Sequence, residues 1–132
     1  MAGREQYLLD THVVLWALTE PARLSPRAAG VLRRRDNRLF VSSASVWEIA
    51  TKHRLGKLPG ADALVGALAA HLARFRAEEL PIRHVHALVA GSLPAEHRDP
   101  FDRMLAAQAS VDGLTLVSAD PAFHVLGVHP VW

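Results

Sequence analysis

Apolar and polar positions divide this chain into short apolar runs and longer stretches of helical spacing. Gln6 to Leu9 is an apolar run that stops at Asp10. The segment THVVLWAL behind it places Val13, Trp16 and Ala17 on one side, so a strand ending in an acid is followed by a helix. Ser25-Pro26 supplies a cap and a first-turn proline for a helix to about Arg35. Asn37 makes the next turn, and Leu39-Phe40-Val41 reads as the second strand. Ser42, Ser43 and Ser45 are alternative caps for a helix from Val46 to about Arg54, which Gly56 ends. After the Pro59-Gly60 turn, Asp62 is expected to cap a long alanine-rich helix to about Arg76.

The second half alternates in the same way. Glu79 to Ile82 reads as a third strand, and Val85 to Ala90 as a short helix closed by Gly91. A polar loop from Ser92 to Asp99 leads into a helix that Asp99 caps, Pro100 opens and Gly113 ends. Leu114 to Val117 is a fourth strand, closed by Asp120-Pro121. A helical turn and a last strand, Gly127 to Val131, follow. Strands separated by helices predict an α/β fold: one domain over residues 1–132, with a central parallel sheet of four to five strands flanked by helices. In such sheets the ligand crevice lies beyond the carboxyl ends of the strands.

Four acids fall on that rim. Asp10 ends the first strand, Glu48 starts the helix after the second, Asp102 starts its own helix, and Asp120 ends the fourth strand. Each has a plain structural reading. Asp10 and Asp120 suit N-caps, Ser45-x-x-Glu48 matches a capping box, Glu48 is spaced to pair with Lys52, and Asp102 closes a box on Asp99. Taken together they point elsewhere. Asp102 heads a stripe of Leu105, Ala106 and Ala109, where an acid is costly without a partner. Two carboxylates about 4 Å apart repel by roughly 4 kcal/mol at an effective dielectric near 20. A divalent cation relieves that repulsion. Oxygen ligands, with no cysteine and no HExxH pattern, favour Mg²⁺ or Mn²⁺ over zinc. Carboxylate-held Mg²⁺ characteristically works on phosphates.

Composition adds a little. The chain has 132 residues and no cysteine, which excludes a disulfide framework and a thiolate zinc site and suits a reducing cytoplasm. No apolar run approaches the length of a membrane span, and Met1 to Leu9 lacks a signal-peptide core, so a cytoplasmic location without membrane contact is expected. Net charge is only +2, but the basic side is almost entirely arginine, with Lys52 and Lys57 the two lysines. That bias fits a phosphate-bearing partner and equally suits a GC-rich genome.

The segments LLDTHVVLWAL, SVWEIATKHRLGKL, HRDPFDRMLAAQA and LVSADPAF, in this order and spacing, resemble a PIN-domain ribonuclease of the VapC toxin type. The resemblance covers about Tyr7 to Trp132. It implies a Mg²⁺-dependent endoribonuclease, the toxin half of a toxin–antitoxin pair, with a small VapB-like antitoxin and a homodimeric assembly. The family's acidic quartet falls on Asp10, Glu48, Asp102 and Asp120, with Asp10 and Asp102 as principal metal ligands. Glu48 and Asp120 complete the pocket directly or through water, and Thr11 and Ser118 supply the neighbouring hydroxyls.

Around the quartet, Lys52, His53, Arg54 and Lys57 either hold RNA phosphates or form a solvated helix end. Arg98 and Arg103 either steer the RNA backbone or balance the carboxylates. His84 and His86 read as surface histidines, and His12 as a half-buried helix histidine. Trp16 and Trp47 read as core, with the groove that takes an antitoxin segment as the other assignment. Two rival functions remain. A receiver-like phospho-acceptor predicts an adjacent acidic pair after the first strand and a lysine near the end, whereas Thr11 follows Asp10 and no lysine follows Lys57. A catalytically silent RNA-binding domain would not need all four acids.

Overall fold

The computed structural model describes residues 5–94 and 96–132. Its centre is a parallel sheet of four strands: β1 (Gln6–Leu9), β2 (Arg38–Ser42), β3 (Ala77–Leu80) and β4 (Thr115–Val117), in the order β3-β2-β1-β4. All three pairings are parallel, with Leu8 opposite Phe40 on one side and Leu116 on the other. The chain moves outward from β1 to β2 to β3, then returns to the far side of β1 for β4. The strand order therefore reverses between β1 and β4, which is where a parallel sheet opens a crevice at its carboxyl end.

Alternation along β1 sends Leu8 and Leu9 into different core clusters. One cluster joins Leu9 to Val13 and Val14 of α1 (Thr11–Thr19), Val31 and Leu32 of α2 (Pro26–Arg33), Ile49 of α3 (Ser43–Arg54) and Leu68. The other joins Leu8 to Leu105, Ala106 and Ala109, Leu116, and Phe123 and Leu126 of the 3-10 turn Pro121–Leu126. The two central strands carry apolar runs, Leu8-Leu9 in β1 and Leu39-Phe40-Val41 in β2, as a doubly covered parallel sheet requires, while the edge strand β3 turns Glu78 and Glu79 to solvent.

Three expectations need correction. The alanine-rich stretch is two short helices, α4 (Asp62–Gly66) and α5 (Leu68–Arg74), and Asp62 is the first residue of α4 rather than its cap. Gly66, the poorest helix former in that stretch, sits at the break, and the Asp62 carboxylate is 2.6 Å from His53 Nε2. The segment after Gly127 is not a strand. Pro130 has no N–H to give a ladder, and only Val131 bridges, to Val117. Gly91 does not close its helix, because α6 runs His84–Ser92. By contrast α7 (Pro100–Asp112) has the expected ends: Asp99 accepts from Phe101 and Asp102 N–H, and Gly113 is left-handed with φ 66°.

Candidate functional site

Asp10 follows β1 directly and caps α1, its Oδ1 accepting the Thr11 N–H at 2.7 Å. Its Oδ2 accepts the Ser118 hydroxyl, also at 2.7 Å, across the gap between β1 and β4. Ser118 in turn accepts the Asp120 N–H at 3.0 Å and is held to Val131 O through its own N–H. The Thr11 hydroxyl donates to Ser45 Oγ at 2.9 Å, tying the start of α1 to α3. Asp10 is only 5 % exposed, and its hydrogen-bond donors are neutral. Burial, opposed by the Ser118 bond and reinforced by the charge of Asp102, pushes its carboxyl up to about 6.

Asp102 lies in the first turn of α7 but closes no capping box, since Asp99 takes the first-turn amides. Its Oδ2 sits 2.8 Å from His97 Nε2. Burial also raises the Asp102 carboxyl, the His97 bond opposes that, and the charges of Asp99 and Glu48 add to it. Glu48 is buried on the inner face of α3, where its carboxylate meets Lys52 Nζ at 2.8 Å. The cap of α3 is Ser42, so the Ser45–Glu48 box does not form, and Ser45 is instead a buried partner of Thr11. Asp120 is exposed and caps the 3-10 turn through Ala122 N–H.

The four acids thus share the carboxyl rim but not one tight cluster. Asp10 feels the charge of Asp102, Asp102 feels that of Glu48, and Asp120 is tied to Asp10 through Ser118. Among the described residues no three His, Asp or Glu side chains are gathered closely enough to hold an ion. The donor chemistry nevertheless fits Mg²⁺ or Mn²⁺: the oxygens are hard, and each Asp10 oxygen keeps a lone pair beyond its hydrogen bond. Asp102 Oδ1 takes no hydrogen bond from a described residue. Mg²⁺ is characteristically held by one or two carboxylates and several waters, so a pair of acids is a sufficient frame.

The basic residues divide. Lys52 is engaged by Glu48 and His53 by Asp62, while Arg54 and Lys57 are exposed. Arg98 is exposed in a surface cleft that it lines with Gly91, Glu96, His97 and Arg103. Arg103, expected to face substrate, gives its guanidinium to backbone: Nε to Ala90 O at 3.0 Å, Nη1 to His97 O at 3.0 Å and Nη2 to Leu93 O at 2.7 Å.

Four aromatic-ring expectations also change, those for Trp47, Trp16, His86 and His12, the last of which is exposed and not half-buried. Trp47 is 61 % exposed and meets Phe101 edge-on, with ring centroids 5.0 Å apart, so it is not core. Trp16 is half-buried, packed on Trp132 and under the Arg23 guanidinium. His86 is fully buried, with Nδ1 accepting from Arg83 N–H and Nε2 facing Asp112, whereas His84 is exposed, as is His12. His97 is the functional candidate the pattern did not single out, because it lies in a loop without periodicity.

Comparisons with known proteins bear on the family and the fold. The family model described as "PIN domain" matches residues 7–128. No curated protein sequence matches the chain. Among solved structures, VapBC2 from Rickettsia felis bound to a promoter DNA fragment is similar, with TM-score 0.68, 19 % identity, and 92 % of each chain covered. FitAB bound to an IR36 DNA fragment gives TM-score 0.64 at 21 % identity, over 95 % of this chain and 93 % of that one. FitAcB from Neisseria gonorrhoeae gives 0.61 at 20 % identity, over 96 % of both. At these identities the likeness is one of fold. The family model spans nearly the whole sheet and all four rim acids, and on that ground the chain belongs to the PIN domain family.

Proposed function

We propose that this chain is a Mg²⁺-dependent endoribonuclease and the toxin component of a toxin–antitoxin pair. The observation that carries the reading is the Asp10 carboxylate. It is buried at the strand-order reversal, bonded among the described residues only by neutral donors, and within reach of the charge of Asp102. A structural acid in that position would be matched to a cation of the protein itself. Membership of the PIN family supports nuclease chemistry, and the fold likeness to VapBC2 and FitAB supports the toxin assignment.

Asp10 and Asp102 are the residues that would hold the ion, with Glu48 and Asp120 acting directly or through water. Bound there, a divalent cation lowers the pKa of a water and stabilises charge on a phosphate. The protein's own part is to fix the carboxylates. Thr11 N–H and Ser118 orient Asp10, and the Ser118 bond keeps it more acidic than burial alone would. Glu48 would orient or deprotonate the attacking water, and its contact with Lys52 Nζ at 2.8 Å fixes its side chain on the rim side of α3. Arg98, Arg54 and Lys57 are exposed cations suited to RNA phosphates, with Lys52 available once Glu48 turns to its water. Single-stranded or looped RNA is the accessible substrate.

Regulation would come from a small antitoxin whose segment blocks the acidic rim, placing an arginine among the carboxylates. Trp47 and Phe101, which meet beside the starts of α3 and α7, form an aromatic surface suited to such a segment. Homodimerisation in the cytoplasm completes the proposal. The test is cleavage of single-stranded RNA by purified protein. Activity with Mg²⁺ or Mn²⁺, its loss in EDTA, and its loss in Asp10→Asn and Asp102→Asn variants that remain folded are expected. Undiminished cleavage by both variants overturns the metal mechanism. Harmless expression with no binding partner encoded beside the gene overturns the toxin role.

A further inference from the structure

An acid at the third position of a helix ordinarily folds back onto the cap residue's N–H. Asp102 does not. It turns outward to His97, five residues earlier, in the loop between α6 and α7. An ionised carboxylate offers only acceptors, so the bond requires the proton to sit on His97 Nε2. That loop is not left to find its own place. Arg103, the next residue after Asp102 on α7, reaches back to the carbonyls of Ala90 at the end of α6, Leu93, and His97 itself. The first two are carbonyls that a helix end leaves without intrahelical partners. A closed ring results: α7 carries Asp102 and Arg103, Arg103 pins the peptide of His97, and the His97 ring fixes Asp102. Only Oδ2 is used, and Oδ1 is left without a bond from any described residue.

We propose that His97 is a positioning residue for Asp102, held in register by the Arg103 clamp, and that it sets the affinity of the rim for its divalent cation. The inference rests on the metal-dependent reading of the site. Partners that hydrogen-bond a ligating group from outside orient it, and their removal typically costs 10–100-fold in metal affinity. Without His97 the Asp102 side chain must give up rotamer freedom when it binds an ion. Arg103 thereby acts on the site without touching RNA.

The experiment is calorimetric titration of purified full-length protein with Mn²⁺, comparing wild type, Asp102→Asn, His97→Ala, His97→Gln and Arg103→Lys, each checked for folding by circular dichroism. Wild type binds Mn²⁺ and Asp102→Asn does not. His97→Ala weakens binding by about 10–100-fold. His97→Gln, whose amide nitrogen reaches the position of Nε2, recovers affinity to within a few-fold. Arg103→Lys, lacking the planar fork, falls between. In RNA cleavage, the His97→Ala defect shrinks at high Mn²⁺ while KM for RNA stays unchanged. Wild-type binding with undiminished binding by His97→Ala, or a Gln variant as weak as Ala, overturns the role of His97 alone. Absence of Mn²⁺ binding by wild type overturns this proposal together with the metal-dependent reading. Should His97→Ala fail to fold, the Gln and Lys variants decide the matter.

Discussion

Ser118 Oγ donates to Asp10 Oδ2 at 2.7 Å, joining residues 108 positions apart across the gap between β1 and β4. The same hydroxyl accepts the Asp120 N–H, so one small side chain links the ends of two strands and two of the four rim acids. Replacing it by alanine removes the bond that lowers the Asp10 carboxyl and strands a backbone donor. Ser118→Ala is expected to lose about 1–3 kcal/mol of stability, to raise the Asp10 pKa above 6, and to bind Mn²⁺ more weakly. Urea denaturation and NMR titration of the carboxyl check these in turn.

The metal-free protein carries a pH signature of its own. The unfolded chain gives up the Asp10 proton near the ordinary 3.8, while the native state keeps it until about 6. The native state therefore binds more protons across that window, and this group makes stability fall as pH rises from about 4 to about 6 and stay level above. Titration near 6 in place of 3.8 corresponds to about 3 kcal/mol. Asp10→Asn is expected to stabilise the metal-free protein at neutral pH by about 1–3 kcal/mol while abolishing cleavage. Denaturant midpoints at pH 4.5 and 7.5, with chelator present, measure this. An unchanged or lower midpoint for Asp10→Asn at pH 7.5 contradicts the electrostatic account.

Trp47 makes a different forecast. It stands on the outer face of α3 beside Phe101, so its loss costs the isolated chain little, under about 1 kcal/mol. If the aromatic pair anchors an antitoxin segment, Trp47→Ala weakens that complex by about 30-fold or more while leaving RNA cleavage by the free chain intact. Calorimetry with the antitoxin that the proposal calls for gives the answer.

Gln108 tests the frame beneath the rim. It is fully buried in α7, accepts the Ser42 hydroxyl and donates to Pro81 O at 3.3 Å, fastening α7 to the ends of β2 and β3. Gln108→Ala leaves a cavity and unpartnered polar atoms, and a loss of about 2–4 kcal/mol is expected by denaturant unfolding. Activity at low temperature should survive in the folded fraction.

Much of this fold is written in local patterns. The caps of α2 and α7 and the parallel topology follow from short-range signals such as Ser25-Pro26 and Asp99-Pro100, whereas the third strand lies at Ala77–Leu80, two residues before the expected Glu79–Ile82, because Pro81 ends it. The four acids stand out in the sequence because each reads as ending a strand or opening a helix, although α3 begins at Ser43 and carries Glu48 in its second turn. What the pattern hid depends on contacts distant along the chain. Nothing near Ser118 announces Asp10, and nothing near Gln108 announces Ser42. Trp47 was misplaced because hydrophobicity outweighed phase. The buried stripe of α3 runs through Ala44, Ser45, Glu48 and Ile49, leaving Trp47 outward and an acid inward. That inversion of polar and apolar faces was itself a signal of a site. His97 escapes because a loop has no period, and Arg103 is named by the pattern without its backbone partners, because those depend on which carbonyls a cation can reach.

The central claim is that Asp10 and Asp102 take a hard cation between them. Crystals soaked in saturating Mn²⁺ and measured near the manganese edge test it directly. The account predicts an anomalous peak about 2.0–2.2 Å from oxygens of both Asp10 and Asp102, absent in Asp10→Asn crystals. A clean map with no peak at the rim, or manganese bound only elsewhere on the surface, contradicts it.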